Sequence, residues 1–342
     1  MFDLIFITHI PVFYKVNLYN SIAENKKIFV IFIAADTSAK RGGDFINIDC
    51  AKFEYTILND GVFENRNVLK SVVRMLQVLS KLKAYRFVVS GWDLCEFWFS
   101  WGIVRKKRLC LALESTIYES DIRGIKGLIK RVFLRKVSQV FASGKLHRDL
   151  LNALNYNRSI NITKGVGIIR KSDSNFKVEK QIKYKVVYVG RLSEEKNLLK
   201  AISVFNKFPE ITLDLYGDGP LADLIDAVAG DNINVMGAVL NSEIPSILYG
   251  ADFLLLPSAS ETWGLVVEEA LYNNVPVLLS SRCGVVEIIS DNGFVINYDN
   301  FDESLSSILM DYKFFVLNAL ASKNIGKKFI ENKDLEQVNA YL

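Results

Sequence analysis

The chain is poor in residues that many specialised folds depend on. Its four cysteines, Cys50, Cys95, Cys110 and Cys283, are scattered with no C-x-x-C pair. That spacing excludes a disulfide framework and a cysteine zinc site, and predicts reduced, mostly buried thiols in a cytosolic protein. There is no low-complexity tract and no repeat at a solenoid period. The most apolar stretch, 94–104, contains Glu96 and is far short of the roughly 20 apolar residues that a membrane-spanning helix needs. The N-terminal MFDLIFITHIP lacks the charged leading segment of a signal peptide, so it reads as a first β-strand. No G-x-G-x-x-G follows a strand, and no RNP-like or helix-turn-helix pattern is present. No D-x-D-type carboxylate cluster stands at a strand end to hold a metal, and the FDE stretch at 301–303 reads as a helix cap.

What remains is a globular composition, with 50% hydrophobic and 23% charged residues, in a length of 342 that suits two domains. The net charge of +4 conceals a division. Residues 1–176 carry a balance of +13 and residues 177–342 a balance of −9. Such asymmetry predicts two domains with different partners, the basic one facing a nucleic acid, an anionic membrane or an anionic acceptor. In both halves short apolar runs alternate with helical periodicity. Strands are expected at 3–8, 27–34, 86–91, 108–114 and 139–144, then at 185–190, 211–217, 233–237, 252–258, 275–280 and 294–298. A helix is expected over 67–82, with Leu69, Val72, Val73, Leu76 and Leu79 at helical spacing. Continuous apolar strands alternating with helices predict parallel sheets covered on both faces. The polar stretch 171–183 reads as a linker between two such units, which would face each other across a cleft.

The chemistry concentrates in the second half. In PSASETWGLVVEEA (257–270), a strand ends near Pro257 and a helix starts near Gly264. Glu261 then lies in the loop and Glu269 on the second turn of the helix, whose side chains tilt toward its start. The first amides of that helix, at Gly264, Leu265 and Val266, suit a phosphate or an oxyanion. Two acids near a helix start are also what the helix dipole alone favours. Arg191 and Lys196, in GRLSEEK, tilt the balance, because they occupy another strand-to-helix connection and are suited to a diphosphate. Gly217, in YGDGP, permits a tight turn or a close backbone approach to a ligand.

The combination of GRLSEEKN, YGDGP and SETWGLVVEEAL resembles the retaining glycosyltransferases of family 4, the group 1 type with the GT-B fold. Glu261 and Glu269 match that family's pair of glutamates with seven residues between them. The resemblance is strong over 185–300 and weak over the first half. It implies two Rossmann-like, doubly wound parallel-sheet domains. These would be an acceptor domain at 1–172, with a C-terminal helix at about 325–342 packing back on it, and a donor domain at 184–324. It also implies that Arg191 and Lys196 hold a donor diphosphate, that Glu269 binds the ribose and that Glu261 orients the transferred sugar. Gly190, Gly217, Thr262, Gly264 and Leu265 would line the donor site, with the base near Met236. No cofactor and no metal would be needed, since the two cations and a helix start can meet the leaving-group charge.

The first half departs from the common family pattern. Its first loop reads THIPVFYK (8–15) and lacks the usual glycine pair, which leaves Lys15 as a cation there. His9 follows the first strand, and Glu114 ends another, so both are candidates for the acceptor side. The second histidine, His147, reads as a helix surface residue. The basic segment 123–136 carries Ile125, Leu128, Ile129, Val132 and Phe133 at helical spacing, with cations between them. It reads equally as a membrane-surface helix or as a core-facing helix with a solvated basic face. The functional expectation is a cytoplasmic transferase using a nucleoside diphosphate sugar, UDP first, on a glycan or lipid-linked acceptor in bacterial surface polysaccharide synthesis. The membrane reading places it peripherally on the inner face of the cell membrane. The alternatives are a non-catalytic sugar-nucleotide-binding module and a nucleic-acid-binding protein using the basic half.

Overall fold

The computed structural model describes residues 1–38, 45–171 and 181–342. The chain forms two compact units, one of Met1–Arg170 with Asp334–Leu342 and the other of Lys171–Lys333. Most of the expected linker, 172–180, lies outside the described residues.

The first unit is built on a seven-stranded parallel sheet. Its strands are β1 (Phe2–Thr8), β2 (Ile28–Phe32), β3 (Glu54–Ile57), β4 (Ala84–Val89), β5 (Leu109–Leu113), β6 (Gln139–Ala142) and β7 (Ser159–Ile162). Their spatial order is β3-β2-β1-β4-β5-β6-β7. Side chains alternate across a strand, and β1 shows the result. Ile5 and Ile7 enter one core, while Leu4 and Phe6 enter the other. The first core also takes residues from α2 (Val68–Lys81), α3 (Cys95–Ile103), α4 (Gly124–Leu134) and α5 (Lys145–Ala153). The second takes residues from α1 (Phe13–Ala23) and from the chain end, where Tyr341 stacks on Phe141 at 4.4 Å. Asn67 caps α2 by accepting from the Lys70 amide at 3.0 Å, which fixes where that helix begins.

The second unit repeats the plan with six parallel strands. These are β8 (Lys185–Val189), β9 (Thr212–Tyr216), β10 (Ile233–Gly237), β11 (Phe253–Leu256), β12 (Val277–Ser280) and β13 (Gly293–Ile296). Their order is β10-β9-β8-β11-β12-β13. Its helices are α6 (Leu198–Phe205), α7 (Ala222–Val228), α8 (Ile244–Tyr249), α9 (Leu265–Tyr272), α10 (Phe301–Met310) and α11 (Tyr312–Leu320). The last helix, α12 (Lys327–Asn339), starts in this unit and belongs to the first from Asp334 onward. In each sheet the strand order reverses once, between β1 and β4 and between β8 and β11. Loops at the carboxyl ends of such neighbours diverge to opposite faces and leave a crevice where ligands of open α/β sheets bind.

Two expectations need correction, and one of the two open readings of 123–136 is narrowed. His147 is fully buried, because α5 turns Leu146, His147, Leu150 and Leu151 inward together. Its Nε2–H donates to the Glu114 carbonyl at 3.0 Å. The thiols are not mostly buried: Cys110 and Cys283 are, but Cys50 and Cys95 stand exposed at element ends. Helix α4 is not core-facing along its whole apolar pattern. Phe133 and Leu134 are buried, whereas Ile125, Leu128 and Ile129 are 77%, 55% and 45% exposed.

Glu96 is fully buried on α3, and Arg66 forks onto it, with Nε to Oε1 at 2.9 Å and Nη2 to Oε2 at 3.3 Å. Burial by itself raises its pKa, but the Arg66 hydrogen bonds and charge outweigh this and hold the carboxyl below its usual value. A carboxylate depressed in the folded state stabilises above its unfolded pKa, and that contribution is lost as pH falls through the folded one. Glu96→Gln is therefore expected to flatten the dependence of the urea midpoint on pH between about 5 and 3, and to lower stability at neutral pH by roughly 3 kcal/mol. Denaturant titrations at several pH values measure both.

Gly217, just after β9, has φ +151°, and a Cβ there would lie 1.8 Å from the Gly190 carbonyl oxygen. The close approach that this glycine permits is thus to the chain's own backbone. Gly217→Ala is expected to force the β8 and β9 ends apart and to lower the thermal midpoint of the second unit by several degrees, about 2 kcal/mol or more. Differential scanning calorimetry reads this directly.

Candidate functional site

The parallel pairing of β8 with β11 sets the 190–197 connection beside the 257–264 loop. Three contacts join them. The Ala259 amide donates to the Glu195 carbonyl at 2.9 Å. The Asn197 side-chain amide donates to the Pro257 carbonyl at 3.2 Å. The Lys196 ammonium meets Glu261 Oε2 at 2.5 Å, with both side chains about 15% exposed. Asn197 adopts a left-handed conformation, φ 56°, and so turns the chain from the short turn Glu194–Lys196 into α6. Asparagine tolerates this geometry better than most residues. Asn197 closes the GRLSEEKN motif but is not among the site residues expected from sequence, yet it ties the two loops that carry the candidate cation and carboxylate.

The sequence-derived site residues fall as follows. Arg191 is exposed at the start of the first loop, whose turn is braced by the Tyr188 hydroxyl donating to the Arg191 carbonyl at 2.8 Å. Burial, with the nearby charges of Glu261 and Glu195, pushes the Tyr188 phenol far above its usual pKa, so it stays a donor. Gly190 donates its amide to the Tyr216 carbonyl at 2.9 Å, and Gly217 donates to Gly237 at 2.8 Å, which gathers the ends of β8, β9 and β10. The register shift between Val235 and Gly237 turns Met236 outward, 51% exposed. Thr262 is exposed, and Leu265 is the first residue of α9. Gly264 is its N-cap at φ 99°, and a Cβ there would strike Leu256 Cδ2 at 2.7 Å. The Glu261 Cγ lies 3.6 Å from the same point, so this carboxylate arm crosses the helix start. Glu269 is half-buried on the second turn of α9. The structure thus assembles Lys196, Glu261, Gly264, Gly190 and Gly217 at one edge of one sheet.

The floor beneath Glu261 is apolar and inert. Cys283 is fully buried, and burial followed by the Glu261 charge pushes its thiol well above its usual pKa. Glu261 and Cys283 form an isolated parallel bridge, and the Gly284 amide donates to the Glu261 carbonyl at 2.9 Å. The loop is further pinned by Trp263, only 1% exposed, whose indole donates to Glu268 at 2.6 Å. Lys333 donates to the other Glu268 oxygen at 2.8 Å. The signal in the sequence was a tryptophan in a polar loop followed by an acid at an inward helix position.

The first unit holds the remaining candidates. His9, Lys15 and Glu114 line one cavity of about 210 Å³ at the β1–β4 switch point, together with Thr8, Tyr14 and Ser90. Lys15 is 6% exposed and ion-paired with Glu114. His9 lies edge-on to Phe97 at 5.3 Å, and its Nε2 meets Asp93 Oδ2 at 3.2 Å. Asp93 was not among the sequence candidates, because nothing in its local pattern distinguishes it. Among the described residues, no group of three or more His, Cys, Asp or Glu side chains is placed to share a metal ion. No described helix is long and apolar enough to cross a membrane.

Known proteins fit this geometry. The family described as glycosyl transferases group 1 matches residues 170–314. The sulfoquinovosyl transferase SQD2 of Arabidopsis thaliana is 32% identical over 141 residues, 40% of this chain and 27% of that protein. The O-antigen biosynthesis glycosyltransferase WbnH of Escherichia coli is 31% identical over 157 residues, 45% of each. The chain therefore spans less than half the length of these relatives. The crystal structure of Anabaena HepE in complex with UDP superposes with a TM-score of 0.71 at 14% identity, covering 98% of this chain and 99% of that one. Residues 170–314 thus match the glycosyl transferases group 1 family, and the two parallel sheets are those of the GT-B fold.

Proposed function

We propose that this protein transfers a sugar from a nucleoside diphosphate donor, UDP-linked first, to a glycan or lipid-linked acceptor in bacterial surface polysaccharide synthesis, with retention of anomeric configuration. The carrying observation is the Lys196–Glu261 contact at the start of α9, where a cation, a carboxylate and helix amides converge at a switch point. In this reading Arg191, Lys196 and the α9 amides take the diphosphate, and no metal or cofactor is needed to meet its charge. Glu269 takes the ribose, with Gly190, Gly217, Thr262, Gly264, Leu265 and Met236 around the nucleotide. Glu261 orients the sugar, and the cavity of His9, Lys15 and Glu114 takes the acceptor. The UDP complex of HepE supports the choice of donor base, and the biosynthetic role of WbnH supports the class of product.

A thermal-shift series with UDP, GDP and ADP in EDTA tests the reading. UDP at 100 times its Kd should stabilise by about 2.7 kcal/mol. Glu269→Ala should weaken UDP binding about tenfold or more, and Glu261→Ala should mainly lower release of UDP from UDP-sugars. Wild-type behaviour of both variants sinks the assignment. Binding without turnover on any donor and acceptor favours a non-catalytic module.

The cellular setting is cytoplasmic and peripheral, on the inner face of the membrane, through residues 123–136. Ile125, Leu128 and Ile129 sit at i, i+3 and i+4 on the outer side of α4, flanked by Arg123, Lys126, Lys130 and Arg131. Exposed aliphatics beside cations match an anionic lipid surface, at about 1 kcal/mol per cation. Sedimentation with phosphatidylglycerol vesicles should exceed that with phosphatidylcholine vesicles and fall with salt. Replacing all three aliphatics by serine should lower binding about tenfold or more. Equal sedimentation of the serine variant refutes this surface.

A further inference from the structure

We propose that Glu268 is a positioning residue for Glu261, acting through the Trp263 indole, and that Lys333 is the counter-charge that lets the carboxylate be buried there. This inference deepens the transferase reading above and rests on it.

Glu268 is fully buried and Lys333 is 4% exposed, so this ion pair is sequestered from water. The two carboxylate oxygens are divided between two tasks. Oε1 accepts from the Trp263 indole at 2.6 Å, and Oε2 accepts from the Lys333 ammonium at 2.8 Å. Trp263 is the second residue after Glu261. The carbonyls of both accept from successive amides of the next connection, Gly284 at 2.9 Å and Val285 at 3.1 Å. The stretch 261–263 is therefore held along its backbone by 284–285 and at its far end by the Glu268 carboxylate. Beyond Trp263 the chain turns through Gly264 at positive φ, a conformation that leaves the loop dependent on its anchors. A neutral residue at 268 that cannot accept a hydrogen bond removes the indole's Glu268 acceptor in a buried setting, which the loop relieves by moving Trp263. Glu261 moves with it. Lys333 comes from α12, 65 positions away in the chain, and its ammonium offsets part of the cost of burying the carboxylate. The carboxylate belongs to the residue next to Glu269, yet it points into the protein and so is not itself a ligand group.

Two charge-neutral double variants separate positioning from charge burial. Glu268→Gln with Lys333→Met keeps an acceptor for the indole. Glu268→Leu with Lys333→Met removes it. Hydrogen exchange at the Gly284 and Val285 amides should stay near wild type in the first and accelerate about tenfold or more in the second. Turnover of UDP-glucose should follow the same split, falling about tenfold or more only in the leucine variant, since small displacements at a reacting group are costly. The affinity for UDP should fall far less than turnover in the leucine variant and stay within about twofold of wild type in the glutamine variant, because Arg191, Lys196 and Glu269 are untouched. Equal exchange and equal turnover in the two variants overturn the inference. A wild-type protein that binds none of UDP, GDP and ADP sinks the transferase reading instead, and exchange at 284 and 285 still decides whether Glu268 holds the loop.

Discussion

The candidate site depends on the parallel pairing of β8 with β11, registered by Val186 opposite Phe253 and Val187 opposite Leu254. Parallel strands deliver their carboxyl ends to the same side, and neighbours at a switch point send their following helices to opposite faces. The two connections are thereby forced together over the crevice. Lys196 meeting Glu261, Asn197 meeting Pro257 and Ala259 meeting Glu195 all follow from that adjacency. Gly190 and Gly217 belong to the same constraint, because β8 and β9 close on each other too tightly for any side chain at 217.

The two sheets answer different demands with one plan. In the first, the switch point between β1 and β4 carries a buried cation, Lys15, paired with a carboxylate from the neighbouring β5 end. In the second, the switch point carries a cation and a carboxylate on the two connections themselves. A fold does not dictate chemistry, but it decides where chemistry can be placed.

Much of this was legible because local pattern and global fold agree. The runs 4–7 in β1, 186–189 in β8 and 253–256 in β11 are apolar without interruption, as strand segments buried on both faces must be. Glu261 in a loop and Glu269 on a helix could be read from the change of pattern at Gly264. The edge strands β3 and β7 were not legible: EYTI and SINI are short and partly exposed, and no apolar run marks them. His147 was misread because its burial comes from packing beneath the Glu114 carbonyl, a partner 33 positions away. Glu268 escaped notice for the same reason, since its meaning lies in Lys333. Lys15 and Glu114 were each singled out, but their pairing across 99 positions belongs to the fold alone. Segment 123–136 shows the limit of periodicity. The pattern gave a helix correctly, and only the structure shows that Ile125, Leu128 and Ile129 face outward.

The Lys196–Glu261 contact has one more consequence. One N–H of the ammonium is committed to a carboxylate of the protein itself, which leaves two donors on the same nitrogen. The cation is therefore held at a fixed point while it keeps the capacity to meet a second anion. Aim and charge come from different groups: Glu261 sets where the ammonium stands, and the uncommitted donors set what it can still bind.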